Sequence, residues 1–178
     1  MSRRDALSAE QRAAGSARIA ERANEAVLAG LSATSMIALY AEKGSEVETV
    51  QLEAAARRAG LRVVYPRVVA AERVLAFHEV SRDELAASRF GLREPQAGSP
   101  RVELSEISVF FVPGLAFDRE GGRIGWGRGH YDATFAASPD ALRVGLAFEC
   151  QIVEHVPREA HDTLVNIIIT EVATHVVA

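Results

Sequence analysis

The feature that most constrains the fold is an apolar run that ends at a Pro-Gly pair and leads into a glycine-rich loop. Residues 107–112 form this run, and their length and composition are typical of a strand buried on both faces. Pro113-Gly114 ends it, three alternating glycines follow at 125–129, and residues 131–137 are predicted to be helical. A strand, a glycine loop and a helix in this order bring backbone N–H groups together at a helix N-terminus, where they can bind an anion.

The rest of the chain alternates helix and strand signals. Capping-box sequences begin at Ser8, Ser45 and Ser81 and predict three helix starts. The first helix should run to about Ala29, and Gly60 should end the second. A loop is predicted at residues 91–105 and apolar strands at 35–40, 61–65, 74–80, 107–112, 142–148 and 165–170, the last strand of the chain.

Several of these strands are apolar on both faces. This pattern favours a largely parallel sheet covered by helices, within a single α/β domain that spans residues 1–178. In open α/β sheets, ligands bind beyond the carboxyl ends of the strands. The loops after Tyr40, Tyr65 and Val112 should therefore share one rim.

Composition excludes several classes of protein. The formal net charge of −4 argues against general nucleic-acid binding, although a local basic cluster can still hold an anion. The single cysteine, Cys150, cannot form an internal disulfide, which favours a reducing compartment. No apolar run reaches membrane-spanning length. We expect a cytoplasmic protein, a monomer or weak dimer, with no nucleic-acid or membrane partner.

The glycine spacing by itself leaves two interpretations open. Gly-x-Gly-x-Gly is neither the dinucleotide-binding fingerprint nor a Walker A loop, so a phosphate-binding loop and an ordinary surface turn are both possible. Arg123 and Arg128 bracket the glycines and could pair with phosphate oxygens. Asp132 follows directly and could hold a hard cation such as Mg²⁺.

Other polar residues have a plain structural explanation as well as a functional one. Glu46 falls in the first turn of a predicted helix, where the helix dipole suffices to explain an acid. Asp162 could be a solvated loop acid. His130 could be a packing aromatic or a pH-sensitive ligand contact. A zinc site is not expected, because the five histidines show no metal-ligand spacing: His78, His130, His155, His161 and His175.

The run from Val112 to Asp132 closely resembles the signature of the 5-formyltetrahydrofolate cyclo-ligase family. That signature reads Pro-Gly-x-x-Phe-Asp, a short gap, and then Gly-x-Arg-x-Gly-x-Gly-x-Gly-Tyr-Tyr-Asp. His130 departs from it, because the family usually has a tyrosine there. The matching residues are Pro113, Gly114, Phe117, Asp118, Gly121 or Gly122, Arg123, Gly125, Gly127, Gly129, Tyr131 and Asp132.

The resemblance continues outside this run. Residues 46–49 are similar to the family's Glu-x-Asp/Glu-Thr, in which the first Glu contacts the folate. The N-terminus departs from the family, because its phosphate-binding Lys-x-x-x-Arg would align before Met1, and Arg3 and Arg4 are the candidates to replace it. Further matches are Pro66-Arg67, Glu94-Pro95, Gln151, Val156-Pro157, Asp162 and Ile168-Ile169-Thr170.

The resemblance implies a three-layer α/β/α fold with a mostly parallel, CoA-transferase-like sheet. It also implies ATP- and Mg²⁺-dependent conversion of 5-formyltetrahydrofolate to 5,10-methenyltetrahydrofolate, ADP and phosphate. Arg123 and Tyr131 would be catalytic, and Asp132 and Asp162 would hold Mg²⁺. The implied ATP-binding residues are Arg3, Arg4, Arg123, Ile124, Gly125, Trp126, Gly127, Arg128, Gly129, His130 and Tyr131. The implied substrate-binding residues are Glu46, Trp126, Gly127, Arg128, Gly129 and His130.

Two other functions stay open at this point. One is a different ATP-dependent phosphotransferase that acts on a small carboxylate, which the glycine loop with its arginines and Asp132 would also fit. The other is a non-catalytic regulator that binds folate or nucleotide. The missing Lys-x-x-x-Arg and the presence of His130 would suit that second alternative.

Overall fold

The computed structural model describes residues 3–88, 91–159 and 162–177. In these parts of the chain the α-helices are α1 (Ala9–Ala26), α2 (Val50–Arg58) and α3 (His130–Ala137). The strands are β1 (Met36–Ala38), β2 (Arg62–Arg67), β3 (Ala76–Glu79), β4 (Ala86–Ala87), β5 (Arg93–Glu94), β6 (Arg101–Val102), β7 (Ile107–Val112), β8 (Ala116–Asp118), β9 (Arg123–Ile124), β10 (Leu142–Leu146), β11 (Ile152–Val153), β12 (Ile167–Ile169) and β13 (Thr174–Val176). Within the described residues, no helix is both long and apolar enough to cross a membrane.

A mostly parallel sheet forms the centre of the molecule, as the sequence predicts. Its strand order is β13-β12-β10-β7-β1-β2-β3-β6. The strands from β12 to β2 in this order run parallel to one another. The outer strands β13, β3 and β6 pair antiparallel. All the parallel strands therefore present their carboxyl ends at one edge of the sheet.

The apolar run of the sequence, β7, lies near the middle of this sheet and is buried on both faces. Val109 and Phe111 pack into the core that α1 and α2 cover. Phe110 and Val112 pack into the core on the opposite face, together with Phe135 of α3. Helices thus cover both faces of the sheet, which gives the three-layer arrangement.

Two of the three predicted capping boxes form. Ser8 caps α1 and exchanges hydrogen bonds with Gln11. Ser81 forms the same box with Glu84, at the start of a short 3-10 helix. Gly60 follows α2 with a φ of +81°, which suits the predicted stop.

The third predicted cap, at Ser45, is wrong. Helix α2 begins at Val50, with Thr49 as its N-cap residue, so the segment 45–49 is a loop. The Ser45 hydroxyl donates instead to Asp5 and accepts from Arg4, two partners from the N-terminal segment. A contact between residues about 40 positions apart overrides the local signal, and Glu46 is not in a helix.

The sequence also underestimates the short strands. Residues 91–105 contain β5 and β6 rather than only loop, and β6 extends the main sheet. The strand at 167–169 is not the last, because β13 follows it. The segment after β7 forms the hairpin β8–β9, which joins β11 in a separate small sheet. These strands of two or three residues are too short for a periodic pattern to show.

Candidate active site

A cleft of about 630 Å³ opens at the carboxyl edge of the sheet. Residues that follow β1, β2 and β7 line it, including Ala41, Val68 and Pro113, which confirms the predicted shared rim. The glycine loop and the beginning of α3 form the opposite wall. The candidate residues that line the cleft are Glu46, Arg123, Ile124, Gly125, Trp126, Gly127, Arg128, Gly129, His130, Tyr131, Asp132 and Asp162.

The glycine loop needs its glycines for specific reasons. Gly127 and Gly129 have φ values of +73° and +64°, which residues other than glycine rarely adopt. Gly129 is the N-cap residue of α3, and its carbonyl accepts the N–H of Ala133 at 3.0 Å. A Cβ on Gly125 would lie 2.7 Å from Nη1 of Arg123. The loop is therefore an ordered approach to a helix N-terminus, beside an arginine.

Arg123 is buried in the wall of the cleft, with 7% of its side chain exposed. Its Nη2 lies 3.4 Å from Oδ2 of Asp132, and its guanidinium lies 5.2 Å from the centre of the Tyr131 ring. Nε is buried and has no hydrogen-bond partner among the described residues. Burial raises the pKa of the Tyr131 hydroxyl more than Arg123 lowers it, so this phenol stays protonated. The result is a desolvated cation with donor capacity to spare.

Glu46 also lines the cleft and is only 5% exposed. Its Oε2 accepts the backbone N–H of Lys43 at 2.9 Å, and Oε1 lies 3.6 Å from Nη2 of Arg4. The Trp126 side chain is a further hydrogen-bond partner. Burial raises the pKa of Glu46, and the Lys43 N–H, Arg4 and Trp126 only partly offset this. A carboxylate held in this way still has acceptor capacity for a ligand.

A buried polar network holds the loop that carries Glu46. The Thr49 hydroxyl donates to the carbonyl of Tyr40 at 2.8 Å, and the Tyr40 hydroxyl donates to the carbonyl of Val47 at 3.0 Å. Arg82 donates to the Thr49 hydroxyl through Nη2 and to the Glu42 carboxylate through Nη1, the latter at 2.9 Å. It thereby links Thr49 to Glu42. Sequence reasoning misses this network, because its members lie up to 40 positions apart.

Trp126 and Lys43 stand at the mouth of the cleft. Trp126 is 65% exposed, and Nζ of Lys43 lies 5.6 Å from the centre of the Trp126 ring. Sequence reasoning passes over Lys43, although it precedes Glu46 by only three residues. The two side chains give this end of the cleft a flat apolar surface with a cation beside it.

His130 is tied to a neighbouring loop. Its Nδ1 lies 2.9 Å from the carbonyl oxygen of Arg73, so Nδ1 carries the proton and Nε2 is the acceptor in the neutral ring. The Thr134 hydroxyl donates to the His130 carbonyl at 2.7 Å and accepts the N–H of Leu75 at 3.0 Å. The loop around residue 73 is thereby fastened to the first turn of α3.

The two proposed magnesium ligands line the same cleft. With the described residues Asp132 makes long contacts, 3.4 Å to Arg123 and 3.5 Å to the N–H of Thr163, which leave its oxygens available to a cation. Oδ2 of Asp162 accepts the N–H of Glu159 at 2.7 Å. Carboxylate oxygens are the ligands that Mg²⁺ prefers, so the donor set fits this ion.

A different group of metal-type side chains lies at the β8–β9 hairpin. Among the described residues, Asp118, Glu120 and His155 bring one potential ligand atom each within 4.8 Å of the others. Arg158 pairs with both carboxylates, at 3.0 Å and 2.6 Å, and so supplies the positive charge there. His161 lies outside the described residues.

Arg3 and Arg4 are not among the described residues that line the main cleft. They line a second cavity of about 490 Å³, which shares Trp126 with the main cleft. Arg4 is 3% exposed and faces Glu46 rather than the loop. A contact between these arginines and nucleotide stays a prediction.

The chain is similar to one family of known proteins in both sequence and structure. Residues 1–171 match the model of the 5-formyltetrahydrofolate cyclo-ligase family. The 5-formyltetrahydrofolate cyclo-ligase of Haemophilus influenzae is 40% identical over 78 residues, 42% of each chain. That of Escherichia coli K12 is 32% identical over 143 residues, 75% of this chain and 76% of that one. The NMR structure of Aquifex aeolicus 5,10-methenyltetrahydrofolate synthetase has a TM-score of 0.82 at 29% identity, covering 98% of this chain and 87% of that one.

Proposed function

Since the chain belongs to the 5-formyltetrahydrofolate cyclo-ligase family, we propose that it cyclises 5-formyltetrahydrofolate to 5,10-methenyltetrahydrofolate, with ATP converted to ADP and phosphate. One observation carries the proposal: a single cleft joins a buried carboxylate, Glu46, to a glycine loop with a buried arginine, Arg123. The first suits a pterin, and the second suits a polyphosphate.

The glycine-loop side would bind ATP. The start of α3 lines the cleft together with Arg123, which supplies a desolvated positive charge, and Arg128 lines the same cleft. Asp132 and Asp162 would hold Mg²⁺, which would neutralise phosphate charge when bound. Tyr131 would act through Arg123, because its ring lies beneath the guanidinium.

The Glu46 side would bind the folate. The amino and ring N–H groups of a pterin are donors that need an acceptor, and Glu46 is a buried acceptor in the cleft. Trp126 offers an exposed ring at the cleft mouth on which a flat heterocycle can stack. His130, held through Nδ1, would present Nε2 to the substrate or to phosphate.

The chemistry needs positioning and charge neutralisation more than a protein nucleophile. The oxygen of an N-formyl group is a poor leaving group. Transfer of the γ-phosphoryl group from ATP to that oxygen releases ADP and makes an N-formimidoyl phosphate. N10 then attacks the formyl carbon, phosphate leaves with the oxygen, and N10 loses its proton as the ring closes. Arg123, buried beside the helix N-terminus, would stabilise the charge that develops on the phosphoryl oxygens.

The near-ultraviolet absorbance of the methenyl product tests this proposal. Purified protein would be mixed with 5-formyltetrahydrofolate and Mg²⁺, with and without ATP, and ADP would be measured in parallel. We expect a rise that requires ATP and matches the ADP formed. Folate binding without any rise would contradict the catalytic proposal and favour a regulator. ATP hydrolysis without a methenyl product would favour a phosphotransferase for a different substrate.

A further inference from the structure

We propose that Arg4 is a positioning residue that fixes the Glu46 carboxylate for folate binding, an inference that rests on the proposed function. The sequence places Arg4 among the candidates for nucleotide binding. Its surroundings in the structure belong instead to the folate side of the cleft, because it contacts the Glu46 loop. The N-terminal segment would then form the back of the folate site.

Each nitrogen of the Arg4 guanidinium has a partner within the protein. Nε donates to the Ser45 hydroxyl at 3.1 Å, Nη1 donates to the carbonyl of Gly114 at 2.8 Å, and Nη2 faces Oε1 of Glu46 at 3.6 Å. These contacts and the burial of Arg4, which is 3% exposed, leave little of the guanidinium open to a phosphate. The planar fork of arginine, which holds its donors in fixed directions, suits such a three-way junction.

The partners of Arg4 come from separate parts of the chain. Ser45 and Glu46 belong to the loop after β1, and Gly114 belongs to the turn after β7. The Gly114 carbonyl also accepts from the Gln151 side chain at 2.8 Å, which fixes its direction. Arg4 therefore locks the Glu46 loop to the turn at the end of the central strand. Lysine has one ammonium group and could not reproduce these directions.

Arg4 also favours the ionised form of Glu46. The other groups that act on this carboxylate are Lys43 and Trp126, which favour ionisation, and the hydroxyls of Tyr40 and Tyr131 nearby. Burial opposes ionisation, and Arg4 is one of the few counterweights. If Arg4 lost its charge, the pKa of Glu46 would rise further. The carboxylate would then be protonated, and lost as an acceptor, at a higher pH.

The experiment measures 5-formyltetrahydrofolate affinity by calorimetry across a range of pH for the wild type, Arg4→Gln, Arg4→Lys and Arg58→Gln. Arg58 is an exposed arginine at the end of α2 and serves as the matched control. We expect Arg4→Gln to weaken folate binding about tenfold or more. The loss of affinity at low pH, which is the acid limb of the affinity profile, should begin at a higher pH in this variant. Arg4→Lys should restore the acid limb but not the full affinity, and Arg58→Gln should match the wild type.

Steady-state kinetics separate this role from the alternatives. Arg4→Gln should raise the KM for 5-formyltetrahydrofolate and leave the KM for ATP within about twofold. A rise confined to the KM for ATP, an affinity like that of the wild type, or an equal loss at every pH would overturn the inference. If Arg4→Gln does not fold, Arg4→Lys decides, because a wild-type affinity in that variant would also overturn it. A wild type that binds no folate would overturn the proposed function itself, and no variant is needed to see that.

Discussion

Two buried acids, Asp118 in the β8–β9 hairpin and Glu46 in the cleft, differ in how fully the protein satisfies them. Oδ1 of Asp118 accepts the N–H groups of Glu120 and Gly122 at 3.0 and 2.8 Å. Its Oδ2 accepts the N–H of Val156 at 2.8 Å and Nη2 of Arg158 at 3.0 Å. Glu46 has one close backbone donor, the Lys43 N–H, and a further partner in the Trp126 side chain, and its arginine lies 3.6 Å away.

The pKa values of the two acids shift in opposite directions. Burial raises the pKa of Asp118, but the hydrogen bonds from Val156, Gly122 and Arg158 outweigh it and leave the pKa below its usual range. At Glu46 burial prevails and the pKa is raised. The charge of Asp118 thus helps to hold the fold together, whereas Glu46 retains acceptor capacity that, under the proposed function, the folate would use. Both acids are buried, so burial alone does not distinguish them, whereas the hydrogen bonds that each accepts do.

The largest expected effect extends the comparison to Asp132, whose contacts with the described residues, at 3.4 and 3.5 Å, are long. Asp132→Asn should lower kcat about a thousandfold, because a proposed Mg²⁺ ligand is lost where phosphate charge must be neutralised. The free energy of unfolding should change by less than about 0.5 kcal/mol. Turnover under saturating Mg²⁺ and urea unfolding would check both statements. Full activity would remove Asp132 from the site.

Asp118→Asn should have the opposite effects, with a large loss in the free energy of unfolding and little direct effect on kcat. An amide cannot accept from all four donors, so the buried Arg158 contact or an N–H group loses its partner, at a cost of about 2–4 kcal/mol. Urea unfolding would measure the loss, and Glu120→Gln is the control, because the side chain of Glu120 is 74% exposed and its ion pair contributes little. A stable but inactive Asp118→Asn protein would contradict the comparison, because it would show that Asp118 serves activity rather than stability.

The smallest effect is expected at Glu46, in Glu46→Gln. The amide keeps one acceptor and adds donors that face the pterin N–H groups, so folate affinity should fall about ten- to thirtyfold by calorimetry. Stability should rise at neutral pH, because the fold no longer holds a charge that burial disfavours. That gain should shrink as the pH falls through the raised pKa and past the usual value for glutamate, below which the wild-type carboxyl is neutral in both states. A loss of stability at neutral pH would contradict this account.

The sequence predicts the fold where the signals are local. The β7 strand, the Ser8 cap and the parallel sheet are confirmed, because each follows from periodicity or from residues within a few positions of each other. The resemblance to the cyclo-ligase family is also confirmed. Ser45 was predicted wrongly because its partners come from Asp5 and Arg4, which no local pattern reveals.

In the candidate site too, the sequence predicts the parts that depend on neighbouring residues and misses those that depend on distant ones. The glycine loop and Asp132 follow one another along the chain, so their motif could be recognised, and the structure brings them to the cleft together. The contact of Arg4 with Gly114 spans 110 positions, and only the folded chain shows it. The roles of these residues in binding and catalysis stay predictions until they are tested.

The central claim is that the folate binds in the cleft between Glu46 and the glycine loop. Trp126, the single tryptophan of the chain, lies in that cleft and provides a direct signal. Its fluorescence would be followed while 5-formyltetrahydrofolate is added to the wild type and to Glu46→Gln. We expect a saturable change in the wild type that needs more ligand in the variant. Unchanged emission while calorimetry records binding would place the folate elsewhere and contradict the account.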